Sequence, residues 1–301
     1  MADSGARAAV EKSAAGRATL MLETSLQEIG IPTCPAIITQ IKTEMEKENP
    51  DLKYLDRTIR SDVGIAAGLI GIANSPVFGS GRRVRSVREA LQVLGLAVAG
   101  RAVAGIALRN IFPITPQIER FWHASATVAR LSGWLAQQVQ SSRDVRSEDA
   151  YTFGLFRDCG IPVLMKRYGP DYDKVLKQAL EEKETGFIKL EEAKFPTNHA
   201  AVGSALSRAW WLPEEITLAI RHHHDPNMAT LSADFRSGAE AVGLIAIGQI
   251  AEHLFHHHYP KLKHDAEWEK MGPAVLRALG LSEESLQELY GPSKQIAAAS
   301  S

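Results

Sequence analysis

Three consecutive histidines followed by an aspartate and a proline, in the segment AIRHHHDP (Ala219–Pro226), are the clearest candidates for chemistry in this sequence. Imidazole and carboxylate groups suit borderline and hard divalent ions. The same residues also suit the end of a helix, where imidazolium interacts favourably with the negative helix terminus by about 0.3–1 kcal/mol. Taken alone, the segment leaves a metal site and a structural helix end both open.

Three further positions could supply metal ligands: His123 in FWHASATVA, Asp158 in GLFRDCG and His199 in TNHAAVG. Ligands scattered over several helices can converge in a helical bundle, but spacing alone does not show convergence. Each position also has a structural interpretation. His123 could pack in the core from its helix, and Asp158 could form a hydrogen bond with a backbone group at a helix end. His199 could be the first residue of a helix. A second triplet, His256–His258, lacks an orienting carboxylate apart from Glu252, and we interpret it as solvated.

Helices are the elements that must position these residues. Ser61-Asp62 and Ser86 are candidate N-caps, and Glu89 gives Ser86 the spacing of a capping box. A further helix with apolar residues at helical spacing is expected to open around Gln117 or Ile118. The sequence shows no convincing run of alternating β-branched residues. It therefore predicts an all-α fold of two packed helical lobes, with a seam near residues 112–117.

Composition narrows the class of protein. The chain has 34 basic and 35 acidic side chains, a net charge of -1 and 45% hydrophobic residues. Such a balance gives no general attraction for nucleic acid or anionic lipid. Cys34 and Cys159 form neither a zinc-knuckle nor a redox motif. With no secretory signal evident at the start, we expect a cytoplasmic protein.

One apolar run, from Ala90 to Leu108, is nearly long enough to span a membrane. Arg101 lies near its middle, where a charge costs about 2.5–3.5 kcal/mol on insertion scales. Its many alanines and glycines suit close packing between helices. We therefore predict a buried helix of a soluble protein and no membrane insertion.

The order of these segments resembles the HDOD domain family. GIPTCPAIITQI and LDRTIRSDVGIAAGLIGIANSPVFGSGRRVRSVREALQVLG carry the resemblance in the first half, where Asp62-Val63 replaces the usual Asp-Pro. FWHASATVA, GLFRDCG and HAAVGSALSRAWWLPEEITLAIRHHHDP carry it in the second half. The resemblance covers roughly Glu23 to Leu254. It implies an all-helical bacterial regulatory domain related to the metal-dependent HD phosphohydrolases, including the HD-GYP cyclic-dinucleotide phosphodiesterases.

Composition and the resemblance together predict four segments: a mobile tail over 1–18, the N-terminal lobe over 19–115, an HD-phosphohydrolase-like lobe over 116–262 and a C-terminal helical extension over 263–301. The end of the extension, from Ser293 to Ser301, is rich in small residues and is expected to fray.

Two residues of this sequence differ from the metal ligands of the catalytic relatives. Arg157 stands where the histidine of the eponymous His-Asp pair belongs, and Gln249 stands where a closing aspartate is expected. A guanidinium cannot donate a lone pair to a cation. The other positions match, and they are the residual metal candidates: His123, Asp158, His199, His223 and His224.

The resemblance and these departures together imply a non-catalytic bacterial signalling module that binds a signalling protein, or a nucleotide or cyclic dinucleotide. No metal, cofactor or catalytic residue is expected. The alternative is a residual metal-dependent phosphohydrolase acting on a nucleotide or cyclic dinucleotide with one divalent ion such as Fe, Mn or Zn. A third hypothesis is an anion sensor using Arg157, with Arg82, Arg83 and Arg85. For the loop arginines, a solvated loop whose arginines pair with nearby acids is the favoured interpretation.

Overall fold

The computed structural model describes residues 29–79, 81–139, 145–181, 185–229, 236–260 and 266–299. These residues form helices and contain no strand, so the predicted all-α fold is confirmed. The tail predicted over residues 1–18 lies outside the described residues.

The first lobe begins with short helices whose caps are set by local side chains. Asp62 Oδ1 accepts a hydrogen bond from the Ile65 amide at 3.0 Å, and Ser86 Oγ accepts one from the Glu89 amide at 3.2 Å. Both predicted N-caps are therefore confirmed. The helices of this lobe are α1 (Ala36–Met45), α2 (Leu52–Arg60), α3 (Val63–Ala73) and α4 (Val87–Ile111).

Helix α4 contains the membrane-like run and packs in the protein interior. It is long and apolar enough to span a membrane, but 56% of its most apolar window is buried inside the protein. The Arg101 guanidinium forms an ion pair with Asp149 of the second lobe at 3.0 Å. Gly95, with φ +73°, breaks the helix into two segments. An L side chain rarely adopts this conformation, which explains glycine there.

The second lobe begins with α5, which starts at Pro116 with Thr115 as its N-cap. This is one or two residues earlier than predicted, because Thr115 Oγ1 accepts from the Ile118 amide at 3.2 Å. Helix α5 packs on α6 (Ser147–Phe156) and α12 (Arg236–His258). The lobe comprises α5 (Pro116–Gln138), α6 (Ser147–Phe156), α7 (Gly160–Tyr168), α8 (Pro170–Glu181), α9 (Phe187–Glu192), α10 (His199–Ala209), α11 (Glu214–His222) and α12 (Arg236–His258).

The C-terminal extension forms α13 (Ala266–Leu279) and α14 (Glu283–Ala298). The predicted fraying from Ser293 is wrong for the described residues up to 298, because Ser293 and Ala297 are buried in α14. The second histidine triplet is solvated only in part, because His257 is exposed whereas His256 and His258 are half-buried. His258 Nε2 lies 2.8 Å from Ser293 Oγ, and the His257 ring packs 4.3 Å from the Tyr290 ring.

The two lobes share one hydrophobic core. A single cluster of buried residues includes Leu69 and Leu108 of the first lobe and Leu131 and Ile250 of the second. The indole of Trp210 also donates to the carbonyl of Pro32 at 3.2 Å. The fold is therefore two packed helical lobes, and the candidate site is formed by the second lobe and helix α13 of the extension.

Candidate functional site

Four of the five residual metal candidates are brought together by the ends of three helices. Asp158 lies in the turn between α6 and α7, His199 is the first residue of α10, and His223-His224 follow α11. Gly160 makes this possible, since a Cβ there would lie 2.1 Å from the His199 carbonyl oxygen. The backbones of α7 and α10 therefore touch, which places Asp158 next to His199.

The ligand atoms of these four residues lie within 4.8 Å of one another. Asp158 Oδ1 is 3.3 Å from His223 Nε2 and 3.6 Å from His199 Nε2. His199 Nε2 is 3.4 Å from His223 Nε2 and 2.9 Å from His224 Nε2. His199 and His223 are 0% exposed, so these imidazoles have lost their contact with bulk water. We call these four side chains the histidine cluster.

Glu191 of α9 orients the first histidine of the cluster. Its carboxylate, itself 0% exposed, accepts from His199 Nδ1 at 2.7 Å and from the His199 amide at 3.1 Å. The hydroxyl of Tyr172 donates to the same carboxylate. Sequence reasoning missed Glu191. The one available signal was a carboxylate eight residues before a candidate histidine, which is common by chance.

His223 and His224 are also held through their Nδ1 atoms by groups outside the cluster. His223 Nδ1 donates to the Ile220 carbonyl at 2.8 Å, and His224 Nδ1 contacts the carboxylate of Glu267 on α13. A neutral imidazole that donates through Nδ1 presents a lone pair at Nε2. Glu267, also missed from the sequence, lies 43 residues beyond His224, and no local pattern connects the two.

The two adjacent histidines have opposite pKa shifts. Burial, together with the neighbouring His224, lowers the pKa of His223 to about 4 against the opposing effect of the Asp158 carboxylate. Burial alone would also lower the pKa of His224, but the carboxylate of Glu267 outweighs it and raises this pKa. His223 is therefore neutral at neutral pH.

Arg157 is a buried cation at the edge of the cluster. It is 2% exposed, its Nε lies 3.3 Å from Asp158 Oδ2, and its terminal nitrogen lies 2.7 Å from Glu252 Oε2. It also donates to the Gly248 carbonyl at 3.3 Å. Burial alone would raise the pKa values of Asp158 and Glu252, but the guanidinium outweighs it and holds both well below their usual range. Both carboxyl groups are therefore ionised.

Two other predicted positions have different surroundings. His123 packs edge-on against Tyr259, with ring centroids 5.8 Å apart, and does not belong to the group of four. Gln249 is buried, and its side-chain nitrogen donates to the His223 carbonyl at 2.7 Å. It thereby holds the backbone beside the cluster.

The predicted loop arginines are remote in sequence from the cluster and exposed: Arg82, Arg83 and Arg85. Asn74 anchors their loop, because its Oδ1 accepts from the Val84 amide at 2.8 Å and its amide nitrogen donates to the Val84 carbonyl at 2.8 Å. The arginine side chains are thereby presented to solvent. Their role as anion contacts stays a prediction.

A cavity of about 590 Å³ opens beside the histidine cluster. His224 and Glu267 line it, and Phe187 lies in its wall with its ring stacked on His199 at 4.7 Å between centroids. Lys189, Arg221 and Lys270 also line the cavity. His224 is thus the one cluster residue among the lining side chains described.

Comparison with known proteins decides the family. A profile of the HDOD domain family matches residues 31–226, which is more than half of the chain. The chain belongs to the HDOD domain family. Its resemblance to that family, inferred from the motifs, is therefore confirmed.

Individual relatives of this HDOD protein are distant. An uncharacterized protein of Treponema pallidum (strain Nichols) is 25% identical over 198 residues, which are 65% of this chain and 38% of the relative. The chain thus spans well under half the length of that curated relative.

Two solved structures share the fold. An HDOD domain protein with unknown function from Geobacter sulfurreducens is 24% identical with a TM-score of 0.64, covering 92% of this chain and 97% of the other. A Marinobacter aquaeolei VT8 protein described as a "Putative signal transduction protein" is 21% identical with a TM-score of 0.62, covering 89% and 58%. At these identities the likeness shows the fold alone.

Proposed function

We propose that this HDOD protein is a non-catalytic regulatory module of bacterial signal transduction, which acts by binding a signalling protein or a small ligand. The observation that carries the proposal is Arg157. Its buried guanidinium stands where the catalytic relatives carry a histidine and forms ion pairs with Asp158 and Glu252. The positively charged guanidinium of Arg157 therefore occupies the position of a metal-ligating side chain.

Hydrolysis by such a centre needs a metal with an open position that binds a water and lowers its pKa to about 7. Arg157 cannot donate to a metal, and His123 packs against Tyr259 instead of joining the histidine cluster. The donors that remain are four protein groups, which equal the number that a tetrahedral ion accepts. This donor set favours binding over turnover.

The cavity beside the cluster supports ligand binding. Its volume of about 590 Å³ is in the range of small-molecule sites, about 300–1,000 Å³. The cavity wall carries three cations, Lys189, Arg221 and Lys270, which can contact phosphates, and the ring of Phe187, which can stack on a base. Three carboxylates, Glu192, Asp225 and Glu267, can accept hydrogen bonds from a base or a ribose, so the wall suits a nucleotide or cyclic dinucleotide. The net charge of -1 supports neither nucleic-acid nor membrane binding, and we propose a cytoplasmic location.

A turnover and binding panel tests this function. We expect no hydrolysis of nucleotides or cyclic dinucleotides above a metal-only blank with added Mn, Fe or Mg. Hydrolysis that disappears in His223→Ala would overturn the non-catalytic proposal. Calorimetry with the same compounds separates the two binding modes: a ligand whose affinity falls in Arg221→Ala uses the cavity, and the absence of any such ligand assigns the module to protein partners.

A residual phosphohydrolase is the second candidate. The observation in its favour is that Asp158, His199 and His223 remain together next to a cavity of substrate size. It predicts turnover that requires a divalent ion, stops on addition of a chelator and disappears in His199→Ala. Retention of turnover in His199→Ala would remove this candidate.

A further inference from the structure

We propose that Asp158, His199, His223 and His224 bind one borderline divalent ion such as zinc in a closed site, where His224 separates the ion from the cavity. The sequence predicted no metal, because Arg157 and Gln249 stand at ligand positions. Metal binding goes beyond the regulatory role proposed above and does not depend on it. Failure of either proposal leaves the other standing, since one is tested by turnover and the other by metal content.

The orientation of the three imidazoles is the first support. Each ring uses its Nδ1 hydrogen outward: His199 toward Glu191, His223 toward the Ile220 carbonyl and His224 toward Glu267. The three Nε2 atoms therefore face one another, together with a carboxylate oxygen. At separations of 2.9–3.4 Å their lone pairs repel unless a shared proton or a metal ion lies between them, and a metal ion can contact all three at once.

The dimensions of the site are the second support. Donor atoms about 2.0–2.1 Å from a tetrahedral ion are separated by about 3.3–3.4 Å. Asp158, His199 and His223 form a triangle with sides of 3.3, 3.4 and 3.6 Å, close to one face of that tetrahedron. These three atoms already have the spacing that the ion requires.

Carboxylates behind the ligands are the third support. Protein metal sites commonly hold a ligating histidine by a carboxylate at its other nitrogen, which fixes the ring and raises its basicity. Glu191 and Glu267 occupy this position for His199 and His224. Asp158, Glu191 and Glu267 bring three carboxylates to the site, whereas its one guanidinium, that of Arg157, is shared with Glu252. A divalent cation would reduce this imbalance.

His224 gives the site its closed character. Its Nε2 lies 2.9 Å from that of His199, on the side of the triangle that meets the cavity, and its side chain is 12% exposed. Structural zinc sites have four protein ligands, whereas catalytic sites keep one position for water. With His224 as the fourth ligand, the ion has no position left for a water or substrate.

Metal content is the first test. The full chain is stripped with a chelator, incubated with zinc, passed through a desalting column and analysed by inductively coupled plasma mass spectrometry. We expect about one zinc per chain, and less than a tenth of this in His223→Gln. His222→Gln is the matched control, because this neighbouring histidine is 33% exposed and lies near Asp225 instead of the cluster. It should bind zinc like the wild type.

Circular dichroism shows whether each variant is folded. If His223→Gln does not fold, Glu267→Gln replaces it, and loss of this orienting carboxylate should weaken zinc binding by about 10- to 100-fold. Less than a tenth of an equivalent of zinc in the folded wild type would overturn the proposal. Equal binding by wild type and every cluster variant would also overturn it.

Cobalt substitution tests the closed geometry. Four-coordinate Co²⁺ absorbs strongly in the visible region and six-coordinate Co²⁺ weakly. We expect strong absorption in the wild type that azide does not change. In His224→Ala the ion should gain an open position, so azide should shift the spectrum. A weak wild-type spectrum, or one that azide changes equally in both proteins, would overturn the closed site.

Discussion

Two histidine triplets that look alike in the sequence have different surroundings in the fold. In the first, His223 and His224 join His199 and Asp158, with their Nε2 atoms converging. In the second, His258 contacts Ser293 Oγ and His257 packs on Tyr290, so the imidazoles hold α14 against α12.

The difference lies in the groups behind each ring. Carboxylates or a carbonyl occupy the Nδ1 positions of the first group and direct the lone pairs inward. In the second triplet a hydroxyl group contacts His258 and an aromatic ring contacts His257, while His256 Nε2 lies 3.8 Å from the carboxylate of Glu252. A histidine-rich segment therefore becomes a candidate metal site through its orienting partners, which are distant in sequence.

The largest expected difference between the two regions comes from buried charge. Arg157→Met should lower the free energy of unfolding by up to about 3–5 kcal/mol, because it leaves the half-buried carboxylates of Asp158 and Glu252 without their cation. Urea denaturation measures this change. The double variant Arg157→Met, Glu252→Leu should recover part of the loss. A change below about 1 kcal/mol in the single variant would show that the guanidinium does not support the region.

Zinc should stabilise the protein through the first triplet alone. At a free zinc concentration 100 times the dissociation constant, binding should add about 2.7 kcal/mol to the free energy of unfolding. A thermal shift assay should show this gain in the wild type and in His258→Gln, and its loss in His223→Gln. An equal loss in His258→Gln would remove the distinction between the triplets.

The pH dependence of stability should separate His223 from its neighbours in chelator-treated protein. Its folded pKa of about 4 is below the unfolded value of 6.5, so the unfolded chain takes up the proton first as the pH falls. This contribution is absent above 6.5 and lowers stability between 6.5 and 4, by up to about 1.4 kcal/mol per pH unit. Denaturation across this range should show a shallower slope in His223→Gln. An unchanged slope contradicts the assignment.

The smallest effect is expected in the second triplet. Ser293→Ala removes the hydroxyl that contacts His258 and should cost about 0.5–1.5 kcal/mol. It should also speed hydrogen exchange in α14, measured by mass spectrometry. Gln295→Ala, on the exposed side of the same helix, is the control. Equal effects of the two substitutions would show that the His258 contact does not hold α14.

Much of the fold was predictable because its signals are local. The caps at Asp62 and Ser86 depend on contacts three residues apart, which the sequence displays directly. The break at Gly95 follows from the positive φ that glycine permits. The continuation of α14 through Pro292 was missed, because it goes against the local preference of proline.

The ligands of the candidate site were predictable from the sequence, but the carboxylates that orient them were not. His199, His223 and Asp158 were identified by resemblance, whereas Glu191 and Glu267 reach them from other helices. Because Arg157 replaces a ligand, the sequence predicted that catalysis and metal binding are lost together. The structure shows that four donors remain together beside the arginine, so the two properties are separable.

The spacing of the cluster depends on a methyl group that is not there. With the His199 carbonyl 2.1 Å from where a Cβ of Gly160 would lie, even alanine would force α7 and α10 apart. Such a displacement is larger than the tolerance of a coordination bond. The absence of a side chain at Gly160 therefore sets the distance between the ligands. Gly160→Ala should abolish binding of the ion although every donor side chain is still present.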